Sequence, residues 1–223
     1  MEKRIPVLSP TEAKRGFVWM ALQYLLLPQL LTFLSIPGEY LNFFYHLSCF
    51  LAVSLLFWKY LRDCLSRSAR NPKKLFFLCG VSLCVYYVTA FLFQVLVCAL
   101  EPAFSNRNDE ALLEMAGSSL VLFAVTTVLL APVTEELLFR GLLFGQLSKR
   151  SRILGYLGSS LCFCLIHLLG YLGTYTPKQL LLALLQYLPA GLILAWSQEK
   201  SQSVTVPILI HMTINAISLV SIL

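Results

Sequence analysis

The run "LVLFAVTTVLLAPVTEELLFRGLLFGQL", residues 120–147, is long and apolar enough to cross a bilayer, yet Glu135, Glu136 and Arg140 lie inside it. A charged side chain at the bilayer centre costs about 2.5–3.5 kcal/mol on insertion scales. These three residues must therefore be paired, neutralised or set beside a wet cavity. In hydrocarbon every backbone polar group must also be satisfied within its own segment, so such a run is a helix. Composition places the rest of the chain in the same solvent. Of 223 residues, 58% are hydrophobic and 13% charged, about half the charged share of a soluble domain. The expected fold is an all-α, polytopic transmembrane bundle.

Seven candidate spans are expected, over 17–36, 41–58, 75–100, 117–147, 153–172, 180–197 and 204–222. The basic residues orient them. Fourteen fall on one side: Lys3, Arg4, Lys14 and Arg15; Lys59, Arg62, Arg67, Arg70, Lys73 and Lys74; Lys149, Arg150 and Arg152; Lys200. Only Arg107 and Lys178 fall on the other. The positive-inside rule puts the N-terminus in the cytoplasm and, with seven spans, the C-terminus outside. The first run passes into Pro37-Gly38 without a small-residue cleavage site and is read as an uncleaved span. The net charge of +6 is a topology signal and gives no support for a nucleic-acid partner. Seven cysteines without a CxxC pair are read as small packing residues. Pro28, Pro132, Pro189 and Pro207 are expected to kink or interrupt four spans. No connection is long enough for a second folded domain.

The charged residues sort by helical geometry. Glu136 and Arg140 stand at i and i+4 with the acid N-terminal, the better orientation for an ion pair. Glu135 points about 100° away and has no local cation. As plain packing, both acids brace the bundle through Arg140; that reading suits Glu136 better than Glu135, because an unpaired intramembrane acid is by default functional. The fifth run holds "FCLIH", ending at His167, and the seventh holds "HMTIN", from His211 to Asn215 on one helical face. His46, without a polar companion at helical spacing, reads as a packing residue. Counted at helical rise, Glu135, His167, His211 and Asn215 fall roughly 10–21 Å from the cytoplasmic ends of their spans. Four costly polar groups in one band of depth point to a shared site.

Such a set can hydrolyse an amide. A glutamate beside a histidine can deprotonate water, while a second histidine and an asparagine donate to the oxyanion. Glu135, His167 and His211 could equally hold a divalent metal such as zinc, whose bound water attacks. Residue types leave both open. There is no HExxH, and no serine beside a His/Asp pair.

In order, Glu135-Glu136-Leu137-Leu138-Phe139-Arg140 matches EExxxR, Phe163-Cys164-Leu165-Ile166-His167 matches FxxxH, and His211-Met212-Thr213-Ile214-Asn215 matches HxxxN. The three motifs, on separate runs, resemble those of the CAAX protease and bacteriocin-processing enzyme (CPBP, or Abi) family. The resemblance covers about 117–222 and divides the single membrane domain into residues 1–116, without a family motif, and a catalytic core over 117–223. It implies that Glu135 and His167 activate the water. His211 and Asn215 would stabilise the oxyanion, or His211 would bind a metal. Glu136 and Arg140 would support the site or meet the substrate C-terminus, a role suited to a guanidinium. The family is described both as metalloproteases and as glutamate-type proteases. The resulting expectation is an intramembrane endopeptidase in a prokaryotic plasma membrane, its site nearer the cytoplasmic face and its substrate a membrane-anchored or lipidated peptide. Two rivals stand beside it: a non-catalytic immunity or peptide-binding protein, and a proton-coupled transporter, which predicts a pair of matched repeats that the sequence does not carry.

Overall fold

Residues 7–34 and 36–221 are described by the computed structural model. Lys3 and Arg4, counted above in the basic leader, lie outside them. Helix is the only regular structure among the described residues.

Helix α1 covers 10–31 in three pieces, Pro10–Ala21, a π-helical turn Leu22–Leu26, and Leu27–Leu31. Its start is a capping box between Ser9 and Glu12. The wide turn immediately precedes Pro28, whose missing N–H and bulky ring cannot continue an ordinary α register. Helix α2 (Gly38–Leu56) turns by 80° at Phe57 into α3 (Trp58–Ala69). The connection 59–74, read above as a basic loop, thus contains a helix. Its inward face places Tyr60 and Cys64 in the core while Lys59, Arg62, Arg67 and Arg70 remain exposed. Helix α4 (Pro72–Leu100) is apolar over most of its length after Lys73 and Lys74 in its first turn.

A second helix, α5 (Arg107–Ser118), occupies what the sequence reading left as a connection. The break at Ser119, in extended backbone, then separates α5 from α6 (Leu120–Leu147), so the fourth span starts later than expected. Helix α7 (Arg152–Ile166) ends before His167, correcting the expected span to residue 172; a short 3-10 turn, Leu169–Tyr171, follows. Helix α8 (Pro177–Ser201) begins with a capping box between Thr176 and Gln179 and carries Pro189 inside it. Helix α9 (Thr205–Ser221) has Pro207 in its first turn, where a proline is tolerated, so Pro207 does not interrupt a span.

By length and composition α4, α6 and α8 can each cross a membrane, and the bent α2–α3 pair can form a fourth crossing. Helices α7 and α9 are apolar but shorter. Helix α6 is the spine. Its Leu137, Leu138 and Leu142 enter one buried cluster with Phe57, Tyr60 and Ile208, and its Phe139 enters another with Phe163, Leu194 and Ile210. A helix packed on both sides by protein can carry polar groups that lipid would reject.

Candidate active site

Two wide π-helical stretches shape α6. The first, Val125–Leu130, precedes Pro132; the second, Leu137–Phe144, follows the glutamates and carries Arg140. π-turns are rare and gather at functional sites. At the first, the Ala131 N–H reaches back five residues to the Thr126 carbonyl. The next nitrogen is that of Pro132, which has no hydrogen to give. The Thr127 carbonyl accepts instead from Asn215 Nδ2, at 2.8 Å. The proline therefore creates the acceptor that docks α9 on α6, and Asn215 is fixed by it with one amide hydrogen still free.

Glu136 and Arg140 are fully buried. Glu136 Oε2 lies 3.1 Å from Arg140 Nε, an ion pair by distance though not an aligned hydrogen bond. Glu136 Oε1 lies 2.9 Å from His211 Nδ1. Arg140 Nη2 donates to the Gly191 carbonyl on α8 at 3.3 Å, and the guanidinium carbon sits 4.4 Å from the Phe163 ring centroid. A Cβ on Gly191 would meet Ser160 Cα at 3.2 Å, so its absence lets α7 and α8 approach here. Arg140 is held by an acid, a carbonyl and an aromatic face. The charges expected to pair at i and i+4 do pair.

His211, on α9, is 6% exposed. Its Nδ1 faces Glu136, and a carboxylate can only accept, so Nδ1 carries the hydrogen and Nε2 faces away from that bond. His167, at the end of α7, has Nδ1 2.8 Å from the Phe163 carbonyl, which also can only accept. Its neutral ring therefore keeps the Nε2 lone pair free, the arrangement of a base. Both imidazoles pack on Phe163, at 4.8 Å for His167 and 5.7 Å for His211 between centroids. Phe163, the first letter of the second motif, gathers Arg140, His167, His211 and Phe139.

Glu135 is partly buried, and its Oε2 is a buried oxygen with no hydrogen-bond partner. Its charge is within electrostatic reach of Arg140 and of Tyr24 and Tyr45 on the first two helices. It makes no direct hydrogen bond to either histidine among the described residues. Nor do three His, Cys, Asp or Glu side chains there converge as a metal-ligand set. The donors thus do not fit a metal as placed.

Three participants escaped the motif reading. Tyr187 on α8 stacks on the His167 ring at 4.6 Å and 26°. Tyr24 lies within electrostatic reach of Glu135, and Thr127 supplies the carbonyl that holds Asn215. Only Thr127 had a signal in sequence, its spacing of five from Pro132.

Residues 117–217 match the family model of the type II CAAX prenyl endopeptidase Rce1-like proteins. This segment is Rce1-like. The family matched is one of intramembrane endopeptidases, and the apolar helices are those of a membrane protein. The chain is also 26% identical over 168 residues to UPF0177 protein YxdF of Lactococcus lactis subsp. lactis, covering 73% of this chain and 85% of that protein. No solved structure gives a significant match.

Proposed function

We propose that the protein hydrolyses a peptide bond in a membrane-anchored or lipidated substrate, using a water activated by Glu135 and His167. The observation that carries this reading is a pair of unspent acceptors: Glu135 Oε2, buried without a donor, and His167 Nε2, left free by the Phe163 carbonyl. In the proposed reaction one of these takes a proton from water. The hydroxide oxygen bonds to the scissile carbonyl carbon, whose oxygen becomes the oxyanion. Collapse breaks the C–N bond as the proton passes to the leaving amine.

Asn215 supports the oxyanion through its remaining amide hydrogen. His211 can donate from Nε2 only when it carries a proton on both nitrogens, because Nδ1–H is already given to Glu136. Glu136 thus orients His211 much as a buried carboxylate orients a catalytic imidazole. Arg140, enclosed by Glu136, Gly191 and Phe163, holds that carboxylate in place. Full burial favours this supporting role over contact with a substrate C-terminus.

The deciding experiment is quantitative membrane proteomics of a strain carrying Glu135→Gln against wild type. A membrane-associated precursor accumulates in the mutant if the reading holds. An unchanged precursor pool, together with any protective phenotype retained by the mutant, would instead establish a binding or immunity protein.

A further inference from the structure

The polar groups around Tyr187, the ring stacked on His167, lie mostly outside the matched family segment. Helix α5 is capped by Asn106, which is 5% exposed and whose Oδ1 accepts from the Asn108 N–H at 3.1 Å. Asn106 Nδ2 donates to Gln186 Oε1 on α8 at 2.8 Å, and Gln186 Nε2 donates to Gln94 Oε1 on α4 at 2.9 Å. Beside this chain, the Tyr187 hydroxyl faces Asn106 Oδ1 at 3.4 Å and Asp109 Oδ1 at 3.3 Å. One hydroxyl hydrogen serves one acceptor at a time, and two acceptors side by side hold it in either state. A face of the same tyrosine ring carries the His167 imidazole.

An imidazole that ends a helix has little backbone to hold it. His167 is the residue after Ile166, the last of α7, and the turn beyond it is short and irregular. Its ring torsion is set by one bond to its own chain, Nδ1 to the Phe163 carbonyl, and by two neighbouring rings, Phe163 and Tyr187. Phe163 is buried at 2% exposure and packed on Phe139. Tyr187 packs against the same core cluster, and its far end is held by its hydroxyl.

We propose that Tyr187 is a positioning residue for His167, tethered through its hydroxyl to the start of α5 at Asn106 and Asp109, so that a helix outside the family segment sets the aim of the imidazole. The catalytic half of this statement rests on the hydrolytic reading of His167; the geometric half does not. Asn106 and Asp109 precede residue 117, where the family match begins. The device belongs to this chain's own architecture.

The test separates the two halves. The full-length protein, labelled with ring-15N histidine in detergent micelles, contains only three histidines, His46, His167 and His211, and single His→Gln variants assign them. Tyr187→Phe keeps the stacked ring and removes the tether, so the His167 ring signals broaden or double while those of His211 stay unchanged. Asp109→Ala and Asn106→Ala, each leaving one acceptor, give smaller line-broadening than Tyr187→Phe, and Asp109→Asn, which keeps an acceptor but loses a charge that acts on His167, gives single sharp His167 signals at shifted positions. A Tyr187→Phe spectrum identical to wild type overturns the proposal, as does equal broadening at all three histidines, which means general loosening. With the precursor trapped by Glu135→Gln as substrate, Tyr187→Phe lowers kcat about 5–10-fold with KM unchanged, as expected for an orientation defect. If no precursor accumulates, the hydrolytic reading fails while the histidine spectra still decide the positioning claim.

Discussion

Helices α4 and α6 look alike as sequence, both long and apolar enough to span a bilayer, yet 6% of α4's most apolar stretch is buried against 44% of α6's. Helix α4 turns Phe76, Phe77 and Phe91 outward, each at least 67% exposed. Helix α6 buries Leu137, Leu138, Phe139, Leu142 and Phe144 completely. Lipid makes few demands on shape, because its chains flow around any apolar side chain. Protein demands complementary surfaces and, in return, can hold charge. The same hydropathy therefore conceals a helix that meets solvent and one that carries the site.

The largest contrast is expected in activity. Glu135→Gln lowers precursor cleavage by about 10²-fold or more, whereas Phe91→Leu on α4 leaves the rate unchanged; comparable losses in both would erase the distinction. Stability comes next. Arg140→Met leaves buried Glu136 with His211 as its remaining partner and should destabilise by about 3–5 kcal/mol, read as a lowered unfolding midpoint in detergent, and adding Glu136→Gln should recover part of the loss. The same measurement on Phe91→Leu is expected to show almost no change.

Glycine gives a finer comparison within the two helices. A Cβ at Gly141 meets Tyr60 Cε1 at 3.0 Å, and the hydroxyl of this buried tyrosine is held by Gln198. Gly141→Ala should then cost about 1–3 kcal/mol. A Cβ at Gly80 meets nothing within 4 Å, so Gly80→Ala should be neutral or stabilising by up to about 1 kcal/mol through helix propensity. Equal outcomes at the two sites would mean that Tyr60 yields freely. The smallest effect concerns the docking of α9. Asn215→Ala leaves the Thr127 carbonyl without that donor and should cost about 1 kcal/mol. In a Pro132→Ala background residue 132 regains an N–H, and the same change should cost measurably less. Additivity in that double-mutant cycle would break the link drawn here between proline and asparagine.

Several elements were legible before any coordinates. The Glu136–Arg140 pair followed from a spacing of four, and the apolar runs marked α4, α6 and α8. Helices α3 and α5 were read as connections because their polar faces outweigh their apolar ones, and the span criterion looks only for continuous apolar length. The end of α7 was placed too late because Leu168, Leu169 and Leu172 are apolar, and apolarity does not report where backbone hydrogen bonding stops. The partner of His211 was the least legible. The family resemblance gives His211 a place at the oxyanion or a metal and names no side-chain partner for it; the direct bond that forms joins it to Glu136.

By itself the sequence determined the solvent, the helical class and the identity of the polar groups that need company. Those follow from the free energy of moving side chains and peptide groups into hydrocarbon, which is a property of each residue and its near neighbours. Tertiary structure alone decided which polar groups meet. Contacts between spans depend on helix rotation, crossing and end point, and in α6 the turns beside Pro132 and through Arg140 shift the phase that residue counting assumes. The tyrosine behind His167 and the carbonyl beneath Asn215 are products of that packing.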